Sequence, residues 1–72
     1  MIMTKLPQIK PRELLSKLKK IGFQELRTKG SHIILAHPDG RRTLVAYHTK
    51  PLASGTLRAI LKQTKLKIEE IL

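Results

Sequence analysis

"FQELRTKGSHIILAHPDGRRTLVAYH", residues 23–48, is the stretch on which the fold turns. Its middle, "HIILAH" (32–37), is apolar and β-branched and reads as a strand. "PDGR" (38–41) is a tight turn, in which Pro presets φ and Gly accepts a positive φ. "RTLVAYH" (42–48) is a second strand beyond it, and "FQELRTK" (23–29), alternating more weakly, is a third before Gly30-Ser31. Connections this short make the three strands an antiparallel meander. Alternation places His32, Ile34 and Ala36 on one face and Ile33, Leu35 and His37 on the other. One face must pack against helices, and periodicity alone leaves open which.

On the N-terminal side, Pro11 suits a first helical turn and Glu13 lies near the positive helix end. Leu14, Leu15, Leu18 and Ile21 recur at helical spacing. Gly22 is a natural left-handed stop, and Phe23 is placed to fold back onto the helix. The pattern predicts a helix over 11–21. Residues 1–9 read as a flexible arm. On the C-terminal side, "TKPLASG" (49–55) is a loop, and Leu57, Ile60, Leu61 and Thr64 give a second apolar stripe with Ser54 as the expected N-cap. "KIEEIL" (67–72) adds a short final turn. The order is α-β-β-β-α in one domain spanning 1–72. The economical packing sets both helices on one face of a three-stranded antiparallel sheet and leaves the other face open.

Charge separates the function classes. The 72 residues hold 15 Lys+Arg against 5 Asp+Glu, a net charge of +10. Small soluble domains usually carry a magnitude of roughly 2–8, so the excess points to a polyanionic partner. Hydrophobic residues make up 40% of the chain, which is enough for a core and excludes a disordered basic tail. Absence of Cys removes disulfides, thiolate metal sites and a thiol nucleophile. "MIMTKLPQIK" has no apolar core of signal-peptide length, and no run approaches the ~20 apolar residues of a membrane span.

Metal chemistry is excluded by the ligand set. His32 and His37 point to opposite faces, and Asp39 is the only acid near them. Ser31 and His32 diverge as strand neighbours, which argues against a hydrolase triad. No phosphate-loop motif and no suitable carboxylate pair are present. Nucleic acid remains. Lys29, Arg41, Arg42, Lys50, Arg58 and Lys62 can grip phosphate, as can the backbone amides at Gly55 and Thr56. With Phe23 and Tyr47 as the only aromatics, the chain looks equipped to hold backbone rather than stack bases. His37 before Pro38 reads as a turn residue, and His48 beside Lys50 reads equally as a surface residue or a phosphate contact. His32 is open between two readings. One is a polar residue at a strand edge. The other is an acid–base group, since Gly30-Ser31 lets backbone approach a phosphate and RNA supplies its own 2′-OH nucleophile.

Joint order and spacing add a resemblance. The leucine-rich helix ending "IGF" (21–23), "RTKGSH" (27–32), "HP" (37–38), "HTKPL" (48–52) and "GTLRAILKQ" (55–63) together resemble the HicA family of bacterial toxins, from about Pro11 to Leu66. The resemblance implies a double-stranded-RNA-binding-domain-like fold. It implies a metal-independent mRNA endonuclease without cofactor that arrests translation in the cytoplasm. The family's catalytic histidine falls on His32. An acidic HicB-like antitoxin is the implied partner, covering that histidine. Around it, Lys29, Gly30 and Ser31 are expected to shape the phosphate site, with His48, Lys50, Gly55, Thr56 and Arg58 as further RNA contacts. Two departures stand out: the arm at 1–9 is longer than the family needs, and the histidine that often follows the catalytic one is Ile33 here. The rivals are a non-catalytic double-stranded-RNA-binding module and a basic interaction protein for an acidic partner. The former usually opens its second helix with a lysine cluster, where this chain has "SGTLRAI" (54–60).

Overall fold

The computed structural model of the chain describes residues 6–72; residues 1–5, the first part of the expected arm, lie outside the described residues. Helix α1 runs over Pro11–Ile21. Lys10 is the extended N-cap residue, and its backbone N–H donates to Glu13 Oε1 at 3.0 Å, so one orphan donor of the first turn is satisfied. Gly22 ends the helix with φ +117°. Its N–H donates to the Lys19 carbonyl and that of Phe23 to the Leu18 carbonyl, the paired bonds of a Schellman cap. Phe23 turns back into the core, as its position next to the glycine predicts, and is 2% exposed.

The sheet is ordered β1-β2-β3, with β1 at Gln24–Lys29, β2 at His32–Ala36 and β3 at Arg42–Ala46. Both pairings are antiparallel. Gly30-Ser31 joins β1 to β2 as a two-residue loop, with φ +60° at Gly30, the first central position. That is where hairpin turns of the II′ kind need glycine. In β1 the register slips between Glu25 and Arg27, so Leu26 bulges out unpaired and 52% exposed. The β2–β3 turn closes with the His37 N–H on the Arg41 carbonyl at 2.8 Å.

Burial resolves which face is covered. Ile33, Leu35, Thr43 and Val45 are buried, and Leu14, Leu15 and Leu18 of α1 and Leu57 and Ile60 of α2 (Ser54–Thr64) share their core. The opposite face stays open, as expected for two helices on one side. Ile9, near the end of the expected arm, is also buried, and its carbonyl accepts from Leu52 N–H at 2.8 Å. This anchor fixes the entry to α2. The ladder of α2 begins with Leu57 N–H on the Ala53 carbonyl, so Ala53 is the N-cap and Ser54 the first helical residue, one position from the expected cap. At the other end Lys65 takes the left-handed position, φ +57°, normally given to Gly or Asn. A 3-10 turn at Ile68–Ile71 buries Ile71.

His37 binds these elements together. Its Nε2 lies 3.2 Å from the Ile21 carbonyl, its Nδ1 accepts from the Asp39 N–H, and its ring meets Phe23 edge-on at 5.1 Å. Arg41 pairs with Asp39, lies over the Phe23 ring, and donates from Nη1 to the Thr64 carbonyl at 2.6 Å. The backbone N–H of Arg41, and then its guanidinium, hold the Asp39 carboxyl below its ordinary value. So the turn residue and one of the expected phosphate cations, Arg41, are engaged in joining the C-terminal ends of both helices.

Candidate active site

The site grows out of the Gly30-Ser31 turn. With Ile33 and Leu35 buried, alternation sends His32 to the open face, where it is exposed. Cross-strand pairing then arranges three rows on that face. Lys29, His32 and Ala46 form the row at the turn, followed by Arg27, Ile34 and Leu44, then Gln24, Ala36 and Arg42. Opposed side chains in such rows have Cβ atoms about 4.5–5.5 Å apart, so the Lys29 ammonium can reach a group held at the imidazole. Ala46, on the other side, offers only a methyl. His32 has neither of the ring-nitrogen contacts that fix His37.

Behind the turn, Tyr47 N–H donates to the Ser31 carbonyl at 2.6 Å and carries the chain past the end of the sheet. His48 and Thr49 follow it into a cavity of about 330 Å³, whose other walls are Lys10, Arg12, Glu13 and Tyr47. Lys50, Gly55, Thr56 and Arg58 are exposed on the loop and the opening turns of α2, outside that cavity. The expected residues therefore fall into three places: Lys29 to His32 at the turn, His48 in the cavity, and the rest along the approach to α2. Three further cations stand beside these places, Lys10 and Arg12 at the cavity and Arg27 on the open face, and none of them is among the expected residues. Arg27 was legible in the alternation of β1, but Lys10 and Arg12 reach the cavity only through tertiary packing.

Among the described residues no three His, Asp, Glu or Cys side chains come together in a way that could hold a metal ion. What the arrangement provides is an exposed imidazole, an adjacent ammonium, and a positive surface around them.

The HicA toxin family, described as the HicA toxin of bacterial toxin–antitoxin, matches residues 11–66, well over half of the chain. The chain belongs to the HicA toxin family. No curated protein sequence matches it. The HicA match starts on the first residue of α1 and ends on Leu66, whose N–H closes α2 on the Leu61 carbonyl. It therefore covers the complete α-β-β-β-α unit and every candidate site residue except Lys10. A HicA toxin is one half of a toxin–antitoxin pair, so this chain has an antitoxin as its partner. Among the described residues no helix is long and apolar enough to cross a membrane.

Proposed function

We propose that this HicA toxin is an mRNA endonuclease that acts in the cytoplasm, with His32 as its acid–base group. The observation that carries the reading is the pairing of exposed His32 with Lys29 across a glycine turn on the open, positive face. In the reaction His32 takes the proton of the ribose 2′-OH, and the 2′-oxygen attacks phosphorus. The bond to the 5′-oxygen breaks, and that oxygen takes its proton from water. The products are a 2′,3′-cyclic phosphate and a 5′-hydroxyl end. Lys29 stabilises the charge that builds on the non-bridging oxygens, and the Gly30 and Ser31 backbone lets the phosphate approach. His48, Lys50, Gly55, Thr56 and Arg58 add phosphate contacts along the strand. No step calls for a metal or cofactor.

The antitoxin is an acidic, HicB-like protein that covers His32. The open face gives it both kinds of contact: Leu44, 46% exposed, and half-buried Ile34 at the centre, with Arg27, Lys29 and Arg42 around them. Opposite charge speeds such an encounter and apolar burial holds it. The test is incubation of purified toxin with an mRNA in EDTA, followed by analysis of the new ends. Cleavage leaving cyclic phosphates is expected. Cleavage only with a divalent metal, or ends carrying 5′-phosphate, would overturn the mechanism.

A further inference from the structure

We infer that the cavity between the start of α1 and the end of β3 is a nucleotide subsite, where a base of the bound strand stacks on Tyr47 and its phosphate meets Arg12 and Lys10. This rests on the RNA-cleaving reading and adds to it a contact with a base.

The cavity measures about 330 Å³. That is at the small end of ligand pockets, of roughly 300–1,000 Å³, and suits one nucleotide rather than a stacked pair. Its walls are polar and charged. Lys10 and Arg12 set two cations against the single acid Glu13, whose Oε1 is already engaged by the Lys10 N–H at 3.0 Å. An anionic ligand is therefore favoured over an apolar one. Tyr47 supplies the second requirement. Of the two aromatics in the chain, Phe23 is 2% exposed in the core, whereas Tyr47 is 45% exposed and lines this cavity. A ring beside two cations is the usual combination for single-stranded nucleic acid.

Position completes the case. The Tyr47 backbone is bonded to Ser31, one residue before His32. Tyr47 follows Ala46, so its ring lies on the helix side of the sheet with Ile33, and a strand held at His32 on the open face reaches the cavity around the end of the β2–β3 ladder. Arg12 and Tyr47 also line a second concavity of about 470 Å³ that continues past Ser16 to the Lys19–Glu25 ion pair, so among the described residues Arg12 is the unpaired cation at the junction of the two.

The experiment uses the full chain in two forms. In the first, His32→Ala protein is titrated with 5′-AMP and with a short single-stranded RNA while the Tyr47 ring and Arg12 signals are followed by NMR. Both are expected to shift, and Tyr47→Ala or Arg12→Ala should weaken RNA binding about 5- to 100-fold. Tyr47→Phe, which keeps the ring face, should lose less than Tyr47→Ala. In the second, Tyr47→Ala is placed on the His32 background, where KM should rise more than kcat falls. Circular dichroism checks that each variant is folded. RNA cleavage with unchanged KM in Tyr47→Ala, and AMP shifts away from Tyr47, would overturn the subsite while the nuclease reading stands. AMP shifts at Tyr47 in a chain that cleaves no RNA would keep the subsite as a nucleotide site and overturn the nuclease reading. No binding and no cleavage would overturn both.

Discussion

Replacing Gly22 by alanine tests how α1 is tied to the sheet. At φ +117° an L-residue is strained, at a cost of roughly 1–2 kcal/mol. The added Cβ also meets His37 Nε2 at 2.8 Å, and the next two atoms within reach belong to the same ring. That ring cannot simply swing away, because it packs on Phe23 and its Nε2 bonds the Ile21 carbonyl. Losing that bond adds about 1 kcal/mol. The total is about 2–3 kcal/mol, against roughly 4–11 kcal/mol for a domain of this length. With a urea slope near 1 kcal/mol/M, the midpoint should fall by about 2–3 M. Urea unfolding of Gly22→Ala, His37→Ala and the double variant isolates the contact. Removing the ring makes room for the Cβ, so the double variant should lose less than the two singles together. Strict additivity, or a cost for Gly22→Ala below about 1 kcal/mol, would refute the reasoning.

Lys65 holds a left-handed cap without being glycine, so Lys65→Gly should stabilise the fold by about 1 kcal/mol and raise Tm by roughly 4–8 °C in a thermal melt. Asp39 has a folded pKa below its ordinary value of 3.8; its stabilising effect is therefore present above that value and lost as pH falls through the lower folded one. Asp39→Asn should remove this part of the acid dependence below about pH 4, visible as a flatter stability curve in acid. Lys29→Ala should weaken binding across RNA sequences and lower the salt slope by roughly one, measured by fluorescence anisotropy at several salt concentrations; loss for one sequence alone would mean that Lys29 reads bases.

Much of the architecture is legible because single residues punctuate it. Pro11 and Gly22 bound α1, and the apolar alternation of β2 shows two faces without saying which is covered. That choice waits on tertiary packing, as seen in Ile33 and Leu35. The Leu26 bulge has no sequence signal, since neither Gly nor Pro marks it. Ser54 looks like a cap, yet the Ile9–Leu52 bond sets the start of α2 one residue earlier, and a contact 43 positions apart in sequence is invisible to local reading. The site divides the same way. His32 and Lys29 are two residues either side of a recognisable turn, so their pairing can be read directly. The cavity joins residues 10–13 to residues 47–49 and exists only once α1 has packed across the sheet. For the same reason Tyr47 passes for an ordinary strand residue until its exposure is known.

The central claim is that His32 moves the proton in RNA cleavage. Its most direct test is the single-turnover cleavage rate of purified His32→Ala toxin, shown to be folded by circular dichroism, on an RNA that the native toxin cuts. The side chain is exposed and lies outside the buried core, so the fold should survive its removal. General acid–base catalysis is worth roughly 10²–10⁴-fold, and the rate should fall by that much or more while RNA affinity stays within a few-fold. A folded His32→Ala toxin that cuts the RNA at a rate close to native would contradict the account.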